Sequence, residues 1–154
     1  MNQLSLLAVS ILGIAAGAPA PRGWTAILAA VDGSSMAGTA SVNATPADIP
    51  DQPVATAATA TSYPAALRVT GAKPRMTLAW SIREGTCAVP GRVVGDFAVT
   101  LDAIGAGQAT AALLTALTDG KEYAVWVHAG AGSSTPVTAC GILVPEASRA
   151  QPGR

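Results

Sequence analysis

Short runs of apolar residues alternate with small or polar residues from Trp24 to Leu143, and Gly, Pro, Asp and Ser interrupt these runs every few positions. This texture is typical of an antiparallel all-β domain. The run "EYAVWVH" shows the alternation clearly, because side chains two positions apart share one face of an extended strand. One face then holds Tyr123, Val125 and Val127, and the other holds Ala124, Trp126 and His128.

The pattern predicts about eight strands, separated by turn sequences such as "DGSS" and "TDGKE". One of these runs, Gln108–Thr115, would also suit a helix because it is rich in alanine and leucine. The segment Thr45–Thr61 predicts a long loop, since it consists mainly of small residues, Thr and Pro. The predicted strands are Thr25–Val31, Met36–Ala44, Ser62–Thr70, Met76–Ile82, Arg92–Leu101, Gln108–Thr115, Tyr123–His128 and Pro136–Leu143.

The apolar run Leu4–Ala20 contains no charged side chain, and Ala18 with Ala20 forms the A-x-A arrangement typical of a signal-peptide cleavage site. No Lys or Arg precedes the run and Pro21 follows it, so a retained membrane anchor is an equal alternative to a cleaved signal. We therefore expect an export signal or anchor with its linker at residues 1–23, a β-domain at 24–144 and a flexible tail at 145–154. The expected location is periplasmic or extracellular.

Charge and composition narrow the possible partners. Nine basic and nine acidic residues give a formal net charge of zero, so no basic field is available to hold a nucleic acid. Half of the chain is hydrophobic, but much of that half is alanine and only 4% of the chain is aromatic. The core will bury little area per residue, so a covalent cross-link would add useful stability.

Cys87 and Cys140 are the only two cysteines. An even cysteine count in an exported chain favours one disulfide, which contributes about 4 kcal/mol for a ring of this size in the chain-entropy model. A thiolate metal site and a redox pair are the alternatives. A metal site would have only His128 as a further soft or borderline ligand, and no C-x-x-C motif is present.

The motifs "AILAAVDGSSMAGTASV", "LRVTGAKPRMTLAWSIREGTC", "AVWVHAG" and "TACGIL" occur in the order in which the Cu,Zn superoxide dismutase family has its own strand and cysteine motifs. The chain resembles that family from about Ala26 to Leu143, and it is also similar to extracellular modules of the CHRD type. The resemblance implies an eight-stranded Greek-key sandwich or flattened barrel.

The same resemblance implies that the metal site is lost. It places Ser81 and Arg83 where the family's H-V-H motif has two copper-ligand histidines, and it places His128 at a later ligand position. Neither Ser nor Arg replaces imidazole at copper, and Arg adds a positive charge. The other ligand histidines have no counterpart, because His128 is the only histidine in the chain. Of the family's features, only the disulfide, Cys87 with Cys140, transfers intact.

Two uses of His128 remain open. It could form a weak or shared metal site with Glu84, Asp96 or another subunit, or it could be a histidine at a strand end that bonds a backbone carbonyl or Glu84. A Ser–His–Asp set built on His128 would need Ser133 or Ser134 together with Asp96 or Asp102, and no motif supports it.

The three tryptophans are candidates for core or interface roles. Trp80 matches the family's aromatic residue before H-V-H and is expected in the core. Trp126 shares its face with His128, so it becomes an exposed interface candidate if Val125 and Val127 face the core. Trp24 follows the leader and suits either a membrane-proximal interface or the core.

These observations predict a protein that is not an enzyme, binds no cofactor and serves as an exported structural or interaction module. The expected partner is a protein, such as a membrane complex to which the chain adds an extrinsic accessory subunit, with membrane contact through residues 4–20. The first alternative is a periplasmic protein that binds copper or another metal through His128. An enzyme of unrecognised type is the second alternative.

Overall fold

The computed structural model describes residues 22–46 and 61–146. The predicted leader Leu4–Ala20, most of the predicted loop Thr45–Thr61 and the end of the predicted tail lie outside these residues. The described chain folds into eight strands, as the alternation predicted. They are β1 (Gly23–Ala30), β2 (Ala37–Asn43), β3 (Tyr63–Thr70), β4 (Thr77–Gly85), β5 (Pro90–Thr100), β6 (Gly107–Leu113), β7 (Tyr123–His128) and β8 (Val137–Pro145).

The strands form one antiparallel sheet in the order β5-β4-β7-β8-β1-β2-β3-β6. The sheet curls until its two edge strands, β5 and β6, touch, so the molecule is a nearly closed barrel. Residues 22–46 and 61–146 include no helix that could span a lipid bilayer.

The barrel interior is filled by the apolar half of each alternating strand. Tyr123, Val125 and Val127 of β7 are all buried, which confirms the face assigned to them from the sequence. Trp80 is fully buried and packs against Phe97 with 4.7 Å between ring centroids, as expected for a core residue. Because many of the other core positions are alanine, valine or leucine, these aromatic side chains supply a large share of the buried area.

All eight predicted strands are present, and the structure adjusts several of their ends. The run predicted as Gln108–Thr115 is strand β6, because its residues up to Leu113 pair one after another with β3 and Leu113 enters the core. Strand β1 begins at Gly23 and β8 continues to Pro145. The amide of Glu146 donates to the carbonyl of Gly23 over 2.8 Å, so both ends of the domain lie side by side.

Strands β1 and β8 come unusually close at Gly141. A Cβ at this position would collide with the carbonyl oxygen of Ile27 and would lie 3.0 Å from Cδ2 of Leu28. Glycine is therefore required here by space, because any side chain would push the two strands apart. This contact holds the last strand against the first and joins the two halves of the sheet.

Candidate functional site

The positions at which the resemblance to the dismutase family expects metal ligands lie on the outward face of β4 and β7. Ser81 of β4 pairs with Trp126 of β7, which in turn pairs with Cys140 of β8. Arg83 lies two residues further along β4, on the same face as Ser81. His128 lies two residues beyond Trp126 on β7. Ser81, Arg83 and His128 therefore lie on one face of two neighbouring strands.

Arg83 covers this face instead of leaving it open. Its Nε donates to the hydroxyl oxygen of Ser81 over 3.3 Å, and its guanidinium carbon lies 5.7 Å from the ring centre of Trp126. This is a cation–π contact, which favours a cation over the face of an indole ring. A guanidinium has donors but no lone pair for a metal, and its charge repels a second cation. The arrangement therefore suits an anion or an aromatic group better than a metal ion.

His128 is buried and bonded to the backbone. Its Nδ1 lies 2.9 Å from the carbonyl oxygen of Thr135, which can only accept a hydrogen bond, so Nδ1 carries the proton. Its Nε2 is buried and has no hydrogen-bond partner within residues 22–46 and 61–146. This is the carbonyl-bonded strand-end histidine that the sequence offered as one of its two readings.

The carboxylates considered as partners of His128 lie elsewhere. Glu84 pairs with Tyr123 across β4 and β7, five residues from His128 along β7, which corresponds to about 17 Å of strand. Asp96 pairs with Ser81 from β5, so it is separated from β7 by β4. A metal site formed by His128 with Glu84 or Asp96 is therefore not assembled in this barrel. The described residues contain no group of three or more His, Cys, Asp or Glu that could hold a metal ion.

Glu84 instead forms two ion pairs at the opposite end of β7. Its Oε1 lies 2.8 Å from a guanidinium nitrogen of Arg92 and 3.5 Å from Nζ of Lys121. The hydrogen bond from Arg92, assisted by the charges of Arg92 and Lys121, lowers the pKa of Glu84 below its ordinary value of 4.5. The same pair raises the pKa of Arg92.

No Ser–His–Asp set is formed around His128 within the described residues. Such a set needs a carboxylate at Nδ1, and the carbonyl of Thr135 takes that position. The carboxylate of Asp102 has a different role, since its Oδ1 accepts from the amides of Ile104 and Ala106 over 2.9 Å and closes the turn before β6.

A disulfide joins Cys87 and Cys140 and shapes the outward face. Cys87 lies in the tip of the β4–β5 hairpin, and its Cα is 5.9 Å from the Cα of Cys140 on β8. Register shifts on either side of Arg83 bend the hairpin, as β-bulges do. The disulfide therefore holds the tip across β7 against Cys140 of β8, whose side chain is buried although it faces outward.

The structure places the two remaining tryptophans in different surroundings. Trp24 was an interface candidate, but its side chain is 5% exposed and packs in the core, which the sequence had offered as the alternative. Trp126 faces outward as predicted, yet it is half-buried, because Arg83 lies over its ring. Its Nε1 is buried and finds no hydrogen-bond partner in the described part of the chain.

A second outward surface was not anticipated from the sequence. Ile27, Ile142 and Val144 are exposed on adjoining strands β1 and β8, and with Arg68 of β3 they line a shallow depression. The only early signal was that Ile27, in "TAILAA", falls between the core positions Ala26 and Leu28. We call this depression the β8–β3 groove. Its floor and walls are formed by Thr25, Ala26, Ile27, Thr39, Ala40, Ser41, Ala66, Leu67, Arg68, Ile142 and Val144.

No family model matches the sequence of this chain, and none of the curated proteins is significantly similar to it.

Proposed function

We propose that this protein is a non-catalytic interaction module that acts outside the cytoplasm. The observation that carries the proposal is the contact set of Arg83, whose guanidinium bonds to Ser81 and stacks on Trp126. A permanently charged group fills the part of the surface where a dismutase-like protein needs imidazole lone pairs. A side chain of this kind suits recognition by contact, since arginine and tryptophan are enriched at the centres of protein interfaces.

The fold is consistent with a relationship to superoxide dismutase or CHRD-type domains. Three pairs of neighbouring strands, β4 with β7, β1 with β8 and β3 with β6, are not consecutive in the chain. This order supports the Greek-key description implied by the sequence motifs. On this proposal, the barrel kept the scaffold and the disulfide of such a protein and replaced its metal ligands.

An accessory subunit of a membrane complex is the specific form of this proposal. The Cys87–Cys140 disulfide is compatible with an exported protein, because disulfides persist in oxidising compartments. The first strand begins at Gly23, three residues after the end of the apolar run Leu4–Ala20. Retention of that run would hold the barrel close to a membrane and close to an integral partner.

One observation favours the alternative function of metal binding. The bond from Nδ1 of His128 to Thr135 fixes the imidazole ring and leaves the lone pair of the buried Nε2 unused. Many metal-ligating histidines are oriented in this way by a backbone carbonyl. A second subunit would have to complete such a site, because Glu84 and Asp96 lie too far from His128.

Metal analysis distinguishes the two functions. We expect the purified protein to hold no stoichiometric copper or zinc after metal loading and dialysis. The matched variant Ser81→His/Arg83→His adds two imidazoles to the face that carries His128, so it should bind more copper than the natural chain. One equivalent of copper in the natural chain that is lost in His128→Ala would overturn the non-catalytic proposal.

Assembly is tested on the full chain in its own membranes. After solubilisation in a mild detergent, the protein should migrate in a complex much larger than a 15.2 kDa monomer. Intact-mass measurement of the same material shows whether residues 1–20 are retained. Recovery of free monomer alone would contradict the accessory-subunit proposal.

A further inference from the structure

The β8–β3 groove has an apolar wall formed by two neighbouring isoleucines. Thr25 pairs with Val144 and Ala29 pairs with Cys140, so Ile27 lies opposite Ile142 midway between these pairs. Ile27 is 83% exposed and Ile142 is 38% exposed, and Val144 extends the wall along β8. Exposed isoleucines on adjacent strands form a contiguous apolar patch, which marks interaction surfaces more often than scattered single residues do.

Positive charge borders this wall on one side. Ile27 pairs with Thr39 of β2, and Thr39 pairs with Arg68 of β3, so Arg68 lies two strands away, or about 10 Å. In the other direction, Ile142 pairs with Ala124 of β7, and Ala124 pairs with Arg83 of β4. Arg83 lies at the same level of the barrel but outside the groove, with its guanidinium over Trp126.

No carboxylate balances this charge. Strands β1, β2, β3 and β8 contain no Asp or Glu, and Arg68 is their only charged residue. Neither Arg68 nor Arg83 forms an ion pair with a carboxylate of residues 22–46 or 61–146. The occupant that complements the groove therefore carries apolar side chains for its centre and carboxylates for the side on which Arg68 lies.

This charge pattern decides among the occupants. A second copy of the chain would bring arginines towards arginines without any acidic residue from the same four strands, which is unfavourable. A lipid surface is a poor fit, because the site is concave and its floor includes the small residues Ala40, Ser41 and Ala66. A concave site suits a side chain that protrudes from another protein.

We propose that the β8–β3 groove docks a protein segment in which apolar side chains are flanked by Asp or Glu. The inference rests on the proposed function and names the surface that such a module uses. The groove lies on the strands that lead to Arg22 and Glu146, so an anchor before Arg22 would bring it near the extramembrane part of an integral partner.

Site-specific photo-cross-linking in native membranes tests this inference on the full chain. A photoreactive residue replaces Ile27 in one variant and Ile104 in the matched control, which is 82% exposed in the turn before β6. We expect position 27, and not position 104, to join a single polypeptide through a segment that contains apolar residues next to carboxylates. Cross-linking of position 27 to a second copy, to lipid, or to a segment without carboxylates would overturn the inference.

Reversing the charge at Arg68 tests the predicted contact with a partner carboxylate. Arg68→Glu should reduce the cross-linked yield by about tenfold or more, and the reverse exchange of the facing partner carboxylate to Arg should restore it. Unchanged thermal unfolding of Arg68→Glu verifies that the barrel is intact. An unchanged yield in Arg68→Glu would contradict the inference. If the complex persists while position 27 stays unlinked, the groove assignment fails and the proposed function stands, whereas a free monomer contradicts the proposed function itself.

Discussion

Ser81 and Arg83 show how two side chains on one strand can change the use of a whole face. Ser81 is fully buried and holds the guanidinium of Arg83 in place, and Trp126 supports the guanidinium from the next strand. A larger residue in place of Ser81, or an uncharged residue in place of Arg83, would alter the contacts of the guanidinium with Ser81 and Trp126. The character of this surface therefore depends on single residues and not on the arrangement of the strands.

Glu84 gives a pH-dependent prediction at the same scale. Because Arg92 lowers the pKa of Glu84 in the folded barrel, the Glu84 carboxylate stabilises the fold above its ordinary pKa of 4.5. That contribution is lost as the pH falls through the lowered folded pKa. Urea unfolding should show a difference in the free energy of unfolding between the natural chain and Glu84→Gln at about pH 7 that shrinks at about pH 3.

The Arg92→Gln variant is the matched control for this measurement, because it removes the strongest partner of Glu84. The difference in the free energy of unfolding between the natural chain and Arg92→Gln should likewise be smaller at about pH 3 than at about pH 7. A difference between the natural chain and Glu84→Gln that stays constant from about pH 7 to pH 3 would contradict the assignment.

At the scale of strands, local pattern predicted the strands, and the Cys87–Cys140 disulfide confirms the one long-range contact that the cysteine count and the resemblance predicted. All eight strands follow from alternation and turn residues, which are properties of neighbouring positions. The fold-back of the β4–β5 hairpin depends on Cys140, 53 residues from Cys87, and no local pattern reveals it. The contact between Arg83 and Trp126 was also not predicted, because it depends on how β4 and β7 pair.

The same limit applies to the candidate site. The resemblance gave Ser81, Arg83 and His128 as positions of lost or surviving metal ligands, and the structure places them on one face of the neighbouring strands β4 and β7. It did not indicate the β8–β3 groove, because β1, β3 and β8 come together only through the order of strands in the barrel. The pattern along the chain therefore assigned residues to strands, but it did not show which strands are neighbours in the barrel.

The close approach of β1 and β8 gives a prediction for Gly141. A methyl group there meets the carbonyl oxygen of Ile27, so Gly141→Ala should lower the free energy of unfolding by about 1–3 kcal/mol. Gly132→Ala is the control, because a Cβ at Gly132 meets only the Ser134 hydroxyl at 3.6 Å. Denaturant unfolding of both variants measures the effect, and equal stabilities would contradict the packing argument.

At the scale of the molecule, the disulfide joins the hairpin at one edge of the sheet to a strand in the middle of the sheet. It connects the β4–β5 hairpin to β8, which also pairs with β1. The ring that it closes spans a sequence separation of 53, for which the chain-entropy model gives about 4 kcal/mol of stabilisation. This is a large share of the stability of a small barrel with an alanine-rich core.

Removal of this cross-link should be measurable. The Cys87→Ala/Cys140→Ala variant should lose about 4 kcal/mol of unfolding free energy, and reductant should destabilise the natural chain but not the variant. Thiol titration of the unfolded natural chain should find no free thiol before reduction. Equal stability of the two proteins would show that the bond does not contribute to the fold.

The position of Cys140 also sets the order of events during the life of the protein. Cys140 belongs to the last strand, so the bond with Cys87 cannot form until nearly the whole barrel sequence has been synthesised. If the chain is exported as proposed, that sequence must also have reached the oxidising compartment. On that proposal, a chain halted during export would still expose a free thiol at Cys87, and thiol-directed quality-control enzymes would distinguish it from a mature chain.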